Sequence, residues 1–223
     1  MCGRYTIIVT IEELMTRYMI AVATNRFQTP RFNVAPGQMV MAVISDGEKN
    51  RLGELKWGLV PSWASNENVG YKMINARAET VTEKPAFRNL FMQRRCLIPA
   101  DGFYEWKKSG TDKQPYRIMM QNEEPFSIAG LWDTWSSSDG TKISTCTIIT
   151  TEPNQLMMDI HDRMPVILSR EDEQKWLEKQ QPVEELKKLL KPFPAEEMKA
   201  YPVSKAVGNV KNSGAELILP LLV

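Results

Sequence analysis

The middle of the chain limits the possible folds more than any other part of the sequence. Between residues 39 and 150, short apolar runs rich in β-branched residues are separated by turn residues. Residues 39–45 and 51–59 flank the turn signal Asp46-Gly47 and predict a β-hairpin. Similar runs predict strands at residues 95–99, 116–121, 126–131 and 143–150. The sequence therefore predicts a fold based on β-sheet.

The predicted helices are short and lie mainly toward the two ends of the chain. Thr10 and Glu13 have the spacing of a capping box, and the apolar residues after them predict a helix over residues 11–20. Ser169, followed by three acidic residues, predicts the start of a helix that ends near residue 180. Shorter helices are predicted at residues 85–91, 155–160 and 183–190.

The chain is predicted to form one domain. Pro36 and Gly37 predict a loop over residues 31–37. The sequence contains no internal repeat, low-complexity tract or long linker, and its 223 residues can bury a core. We expect a single α+β domain over residues 1–223, built on an irregular antiparallel β-sheet or partial barrel with short flanking helices.

Composition argues against several classes of protein. Lys+Arg 28 and Asp+Glu 27 give a net charge of +1, so bulk charge does not call for nucleic acid, although a local basic groove remains possible. No apolar run approaches the roughly 20 residues of a membrane span, and Glu12 and Glu13 argue against a signal peptide. Three widely spaced cysteines fit a reducing cytoplasm. One histidine and no C-x-x-C argue against a zinc site, and no metal or cofactor is expected.

Cys2 carries two reactive groups that could act together. Removal of Met1 would leave a free α-amine next to the thiol, with ordinary pKa values of about 7.7–8.0 for the amine and about 8.5 for the thiol. Such a pair condenses with an aldehyde, because the amine forms an imine and the thiol closes a thiazolidine ring. The alternative is that Cys2 is a small buried apolar side chain.

Three polar residues lie within apolar or aromatic segments. Asn75 follows Met73-Ile74 and either braces a loop or serves a site. Glu105 is flanked by aromatic residues, so it lies either on the wet face of a strand or in a low-dielectric site with a raised pKa. His161 is either structural or at the mouth of a site, since charged neighbours surround it.

Aromatic residues and arginines occur near one another in sequence. Together they could stack the bases and hold the phosphates of single-stranded nucleic acid, although aromatic residues also form ordinary cores. The residues concerned are Trp57, Trp63, Phe103, Tyr104, Trp106, Arg77, Arg94 and Arg95.

Several segments together resemble one family, the SOS response-associated peptidase (SRAP) family. They follow its order over nearly the whole chain, and eight separate motifs make the resemblance specific. The segments are Met1-Cys2-Gly3-Arg4-Tyr5, Phe32-Asn33-Val34-Ala35-Pro36, Trp57-Gly58-Leu59-Val60-Pro61, Ile74-Asn75-Ala76-Arg77-Ala78-Glu79-Thr80, Arg95-Cys96-Leu97-Ile98-Pro99-Ala100, Gly102-Phe103-Tyr104-Glu105-Trp106, Asp159-Ile160-His161-Asp162-Arg163-Met164-Pro165 and residues 207–212.

The resemblance implies a protein that binds single-stranded DNA and crosslinks covalently to its abasic sites. By analogy, Cys2 is the nucleophile and Asn75 positions the sugar or the Cys2 amine. Glu105 transfers protons, and His161 stabilises the opened sugar and the neighbouring phosphate as a proton donor. The resemblance also implies removal of residues before the cysteine by self-processing, and some lyase activity on the abasic strand.

The same resemblance implies a DNA-binding surface around these four residues. Arg4 and Arg77 would hold phosphates, and Pro36, Trp63 and Trp106 would line the DNA channel. A monomer would suffice for these roles, and no membrane partner is expected. Two other functions remain open from the residues alone. One is an N-terminal-nucleophile cysteine peptidase or amidohydrolase that uses Cys2, and the other is a non-catalytic module that binds single strands.

Overall fold

The computed structural model describes residues 2–20 and 29–221. Within these residues, long strands occupy the middle of the chain and short helices lie mostly near its ends. The strands are β1 Tyr5–Ile7, β2 Arg31–Val34, β3 Met39–Ser45, β4 Asn50–Trp57, β5 Asn75–Arg77, β6 Arg95–Ala100, β7 Gly102–Ser109, β8 Asp112–Met120, β9 Phe126–Ser136, β10 Lys142–Thr151, β11 Met164–Pro165, β12 Ile167–Leu168 and β13 Met198–Pro202. The α-helices are α1 Ile11–Arg17, α2 Arg88–Gln93, α3 Gln155–Met158, α4 Arg170–Leu177 and α5 Val183–Lys188. The 3-10 helices are Glu67–Lys72, Ala78–Thr80, Ala195–Glu197, Lys205–Gly208 and Ala215–Ile218.

Five strands close into a ring. Their order is β10-β4-β3-β6-β9, and β9 pairs again with β10. The pairings are antiparallel except between β4 and β10, which are parallel. Closing the sheet in this way leaves few exposed strand edges. The short strand β5 adds to β10 in parallel and brings Asn75 opposite Ile148.

The other sheet is antiparallel and carries the N-terminal strand near its middle. Its order is β13-β8-β7-β1-β2. β1 pairs with β7 through Tyr5 and Phe103, and the Tyr104 amide donates to the Arg4 carbonyl at 3.0 Å. This register, continued toward the N-terminus, carries Cys2 toward Glu105 and Trp106.

The two faces of β7 belong to different cores. Phe103 faces the main core, which also contains Cys2, Tyr5 and Ile118. Tyr104 points the other way and packs with apolar residues of the C-terminal segment, Val203, Val207 and Leu217. Because side chains alternate along a strand, Glu105 shares the inner face with Phe103.

The expected fold class is confirmed: the protein is α+β, with a mostly antiparallel sheet framework, a partial barrel and short flanking helices. The capping box of Thr10 and Glu13 is present at the start of α1. Ser169 caps α4 by accepting a hydrogen bond from the Asp172 amide. A single domain over residues 1–223 stays a prediction.

The loop predicted over residues 31–37 is wrong in its first half. Residues Arg31–Val34 form β2, which pairs antiparallel with β1. The turn begins only at Pro36 and Gly37, where Gly37 has a φ of +85°. The turn signal was therefore correctly located, but the extended residues before it gain their stability from a partner strand that lies far away in sequence.

Among the described residues, no helix is long and apolar enough to cross a membrane.

Candidate functional site

Cys2 lies in the main core, at the entry to β1. Its side chain is fully buried. Burial, followed by the negative charge of nearby Glu105, raises the pKa of the Cys2 thiol far above its ordinary value. The thiol is therefore in its neutral, protonated form at physiological pH, and it is close enough to the Glu105 carboxyl to feel its charge.

Asn75 is bonded directly to the Cys2 backbone. Its Nδ2 donates to the Cys2 carbonyl oxygen at 3.0 Å and to the Ile74 carbonyl oxygen at 3.1 Å. The parallel pairing of β5 with β10 holds the strand that carries it. Its Oδ1 is buried and accepts no hydrogen bond from the described residues. A buried amide oxygen without a donor costs free energy, so this atom is a ready acceptor for an incoming group.

Glu105 is a buried carboxyl on the inner face of β7. It is 2% exposed, and burial is the main reason why its pKa is raised to about 8. Of the two positions that the sequence left open, the structure has the low-dielectric one. At neutral pH most of the Glu105 carboxyl is protonated, so it can give a proton to a reacting group and take one back.

His161 lies in the loop after α3 with its ring next to Glu105. The distance from His161 Nε2 to Glu105 Oε2 is 3.7 Å. The Arg163 amide donates to His161 Nδ1 at 3.0 Å, which is shorter than the 3.3 Å from Nδ1 to the Arg163 carbonyl oxygen. Asp162 Oδ1 also lies 3.0 Å from Nδ1, so Nδ1 has both a donor and acceptors beside it, while Nε2 faces Glu105. Burial, above all, lowers the pKa of His161, so the ring is mainly neutral at pH 7.

An ion pair ties the His161 loop to the segment that carries Asn75. Arg163 donates through Nη1 and Nη2 to the two carboxylate oxygens of Glu79, at 2.6 and 2.9 Å. Nη2 also donates to the Thr150 carbonyl oxygen at 2.7 Å. Glu79 follows Asn75 by four residues, in the 3-10 helix after β5. This bidentate contact fixes the distance between the two sides of the site.

The four residues predicted to react therefore meet around one buried position, although their roles stay predictions. Cys2 and Asn75 are hydrogen-bonded, Glu105 and His161 face each other, and the Glu105 charge acts on the Cys2 thiol. Asn75 is the link between the strand of Cys2 and the ring of strands. Within the described residues, no cluster of three or more His, Cys, Asp or Glu could hold a metal ion.

The residues predicted to bind DNA occupy different environments. Arg77 is exposed two residues after Asn75, and Trp63 is 68% exposed. Pro36 and Trp106 are partly exposed. Arg4 is half-buried and donates to Asn33 Oδ1 at 2.9 Å, to Val207 O at 2.7 Å and to Gly208 O at 3.1 Å. Its guanidinium therefore already holds the C-terminal segment, and a phosphate-binding role for these residues stays a prediction.

Two residues of the site were not predicted to have roles. Glu79 and Arg163 lie within segments that sequence reasoning singled out, but nothing in the sequence pairs them. The available signal in the sequence was the position of these two residues. Glu79 is an acid four residues after Asn75, and Arg163 is an arginine two residues after His161. The two residues come together because β5, which precedes Glu79, and β11, which follows Arg163, both pair with β10.

The chain is similar to known proteins over nearly its whole length. The family model described as SOS response associated peptidase (SRAP) matches residues 1–210. The abasic site processing protein YoaM of Bacillus subtilis is 50% identical over 98% of this chain and 97% of its own. The abasic site processing protein YedK of Escherichia coli is 34% identical over 99% of this chain and 100% of its own.

A solved structure shows the same fold. A protein from Bacteroides thetaiotaomicron, determined by X-ray crystallography, superposes with a TM-score of 0.87 at 30% identity, and the match covers 99% of this chain and 100% of that one. The family model and the relatives each match most or all of the chain, including the segments that carry the four clustered residues. The chain belongs to the SOS response associated peptidase (SRAP) family.

Proposed function

We propose that this protein captures abasic sites in single-stranded DNA by a covalent bond to Cys2. The observation that carries the proposal is the meeting of Cys2, Asn75, Glu105 and His161 around one buried position. The relatives named abasic site processing proteins support the same lesion as the substrate here. The open form of an abasic deoxyribose carries an aldehyde at C1′, which is the electrophile that an aminothiol traps.

The first step needs a free amine on Cys2, so removal of Met1 is part of the proposal. The amine nitrogen attacks C1′ and forms a carbinolamine. Glu105, whose pKa of about 8 keeps it mostly protonated, then donates a proton to the carbinolamine hydroxyl, which leaves as water. The product is a protonated imine (iminium) between Cys2 and C1′, and Glu105 is left as a carboxylate.

The second step closes the ring. The Cys2 sulfur adds to C1′ of the iminium, the thiol proton passes to the Glu105 carboxylate, and the C=N electron pair returns to the nitrogen, which keeps its hydrogen. The net reaction joins an aldehyde and an aminothiol into a thiazolidine and releases one water. Because burial keeps the Cys2 thiol protonated, a base beside it is needed, and the Glu105 carboxylate formed in the first step supplies one.

Asn75 and His161 orient the sugar in this proposal. Asn75 Oδ1 is a buried acceptor whose own amide group is bonded to the Cys2 backbone, so it suits a sugar hydroxyl or the Cys2 amine. His161 Nε2 lies on the Glu105 side of the ring and, in the tautomer that carries its proton there, suits an oxygen of the opened sugar. An imine also acidifies C2′, which supports slow cleavage of the abasic strand as a secondary lyase activity.

The charge states argue against a thiolate peptidase acting on other proteins. Such an enzyme needs a depressed thiol pKa beside a protonated histidine. Here burial raises the pKa of the Cys2 thiol and lowers that of the His161 ring. Peptidase chemistry is therefore proposed only for exposure of the Cys2 amine by removal of the preceding residue.

The test is a crosslinking assay with an abasic single-stranded oligonucleotide. The parent protein is expected to give a heat-stable band of lower mobility, and intact mass should show loss of Met1 and, with DNA, a covalent adduct. Cys2→Ala should abolish the band, because it removes the sulfur that closes the ring.

Cys146→Ala is the matched control, since Cys146 is also a fully buried free cysteine. It should crosslink like the parent. An undiminished band in Cys2→Ala would overturn the proposal, as would turnover of a peptide substrate by a parent protein that forms no adduct.

A further inference from the structure

Trp63 is displayed to solvent by a closed turn. Its side chain is 68% exposed, although burial of an indole is normally favourable. The Ala64 amide donates to the Pro61 carbonyl oxygen at 2.9 Å, which closes a turn over residues 61–64. The exposure of Trp63 is therefore set by hydrogen-bonded backbone and does not come from a loosely held loop.

Strand β9 fixes this turn on both sides of Trp63. Asp133 and Trp135 are two residues apart, so they point to the same side of β9. Asp133 Oδ2 accepts from the Ser62 amide at 2.8 Å, and Trp135 Nε1 donates to the Ala64 carbonyl oxygen at 2.7 Å. Asp133 is 4% exposed and Trp135 is 8% exposed, so water does not compete strongly for either bond.

The Asp133 carboxylate is itself held in one orientation. Its Oδ1 accepts from Arg94 Nη1 at 3.1 Å and from the Thr134 amide at 2.8 Å. The Arg94 guanidinium lies 5.0 Å from the centre of the Trp132 ring. Oδ2 is then left to face the Ser62 amide. A buried carboxylate fixed by three donors is a rigid support for the backbone that it binds.

The turn belongs to a longer loop over residues 58–70, and the start of this loop packs against its end. Gly58, with a φ of +133°, lies so close to Gly70 that a Cβ there would meet the Gly70 carbonyl oxygen at 2.8 Å. Thr145, the residue opposite Asp133 in β10, accepts from the Val60 amide at 2.8 Å. The backbone that leads into the turn around Trp63 is therefore anchored as well.

We propose that Asp133 is a positioning residue for DNA binding. By accepting a hydrogen bond from the Ser62 amide, it holds the turn over residues 61–64 in place. This turn holds the Trp63 ring where it can stack on a DNA base. The inference rests on the proposed function, since it takes single-stranded DNA as the ligand. Stacking of a base on an aromatic ring contributes roughly 1–3 kcal/mol, which corresponds to roughly a 5- to 150-fold change in affinity. Fixing the ring before binding removes part of the ordering entropy. Loss of Asp133 should therefore weaken affinity about three- to tenfold.

Affinity is measured with a single-stranded oligonucleotide that carries a tetrahydrofuran abasic analogue, which has no aldehyde and cannot crosslink. Asp133→Ala and Trp63→Ala are each expected to weaken binding, and the double variant should bind no more weakly than Trp63→Ala. This non-additivity separates positioning of Trp63 from a general structural role. The crosslinking rate at saturating abasic DNA should stay at the parent value in Asp133→Ala.

Two further variants sharpen the test. Asp139→Ala is the matched control, because Asp139 is an exposed acid in the turn after β9 that bonds only within that turn. It should bind like the parent. Asp133→Asn keeps one acceptor oxygen at unchanged volume but turns an NH2 group toward either Ser62 or the Arg94 and Thr134 donors, so it should weaken affinity less than Asp133→Ala does and serves as the test variant if Asp133→Ala does not fold.

A second readout needs no DNA. Chymotrypsin cleavage after Trp63, followed by mass spectrometry, should be faster in Asp133→Ala than in the parent and unchanged in Asp139→Ala. If the parent crosslinks normally and Asp133→Ala binds DNA as tightly as the parent, this inference alone is overturned. The same holds if Asp133→Ala weakens affinity equally in the parent and in the Trp63→Ala background. A parent that neither binds nor crosslinks overturns both this inference and the proposed function.

Discussion

At the scale of single residues, the buried acids of the fold lie next to different side chains. Asp101 lies 3.0 Å from the guanidinium of Arg117, and Asp133 lies 3.1 Å from that of Arg94. Glu105 lies 3.7 Å from the ring of His161, whose pKa is lowered mainly by burial. Burial is also the main reason why the pKa of Glu105 is raised to about 8, so this acid is mostly protonated at neutral pH.

The raised pKa of Glu105 predicts how stability depends on pH. Its pKa is about 8 in the folded protein and 4.5 for an ordinary glutamate, so the folded state binds the proton more tightly than the unfolded state. The free energy of unfolding should fall as pH rises from about 4.5 to about 8 and then level off. Glu105→Gln keeps the neutral form and should remove this decline, which makes it more stable than the parent above pH 8 by on the order of 5 kcal/mol.

Urea unfolding measured across this pH range checks the expectation. The same decline in the parent and in Glu105→Gln would contradict it. The crosslinking rate gives an independent readout, since the parent should show a rise as the Cys2 amine loses its proton and a fall as Glu105 does. Glu105→Gln should be slower and should lose the falling limb.

At the scale of elements, one buried arginine joins the ends of two helices. Arg95 donates to the carbonyl oxygens of Phe91 and Met92 at the end of α2, at 2.7 and 2.6 Å. It also donates to the carbonyl oxygens of Trp176, at 2.6 Å, and of Glu178 at the end of α4. Burial lowers the pKa of Arg95 to about 10, which still leaves it charged at pH 7. A cation at two helix C-termini satisfies carbonyls that would otherwise lack donors.

Replacement of Arg95 should destabilise the fold without changing the site chemistry. Arg95→Lys cannot reach both helix ends from one nitrogen, and it leaves buried carbonyls unpaired. The free energy of unfolding should fall by about 3 kcal/mol, as measured by urea denaturation. Arg170→Lys, on the exposed side of α4, is the control and should change it by less than about 0.5 kcal/mol. Equal midpoints for the two variants would rule out this role for Arg95.

The elements that the sequence predicted well are those whose signals are local. The capping box at Thr10 and the Asp46-Gly47 hairpin need only neighbouring residues, and both are present. β2 was missed because its extended conformation depends on β1, from which it is separated by α1 and more of the chain. Glu105 was ambiguous for the same reason: alternation gives two faces, and only the packing of the two sheets says which face is dry.

At the scale of the whole molecule, the C-terminal segment is joined to the start of the chain. Asn33 Nδ2 donates to the carbonyl oxygens of Val207, Asn209 and Asn212, at 3.2, 3.1 and 2.9 Å. Arg4 binds the same segment and also Asn33. Because Arg4 is two residues from Cys2, the position of Cys2 depends on the last part of the chain. This explains why family resemblance could name the four residues that are predicted to react, while the residues that hold them in place could not be named.

Asn33→Asp tests this dependence. The change keeps the volume but points a carboxylate at three carbonyl oxygens, so the segment after residue 203 should detach, at a cost of about 2–3 kcal/mol for the lost hydrogen bonds. Amide hydrogen exchange in that segment should accelerate, and crosslinking should slow. Asn209→Asp is the control, since its side chain only accepts from the Lys211 amide and an aspartate does the same. Equal exchange in the two variants would contradict the expectation.

The bonds between Arg4 and the C-terminal segment have a consequence for the order of synthesis. Arg4 leaves the ribosome early, but the Val207 carbonyl that it binds follows 203 positions later. Chains emerge from the N-terminus at roughly 5–20 residues per second, so Cys2 stays accessible to other enzymes for seconds before its surroundings exist. Processing at its N-terminal side is therefore easiest on the nascent chain, before Val207 and Gly208 reach Arg4.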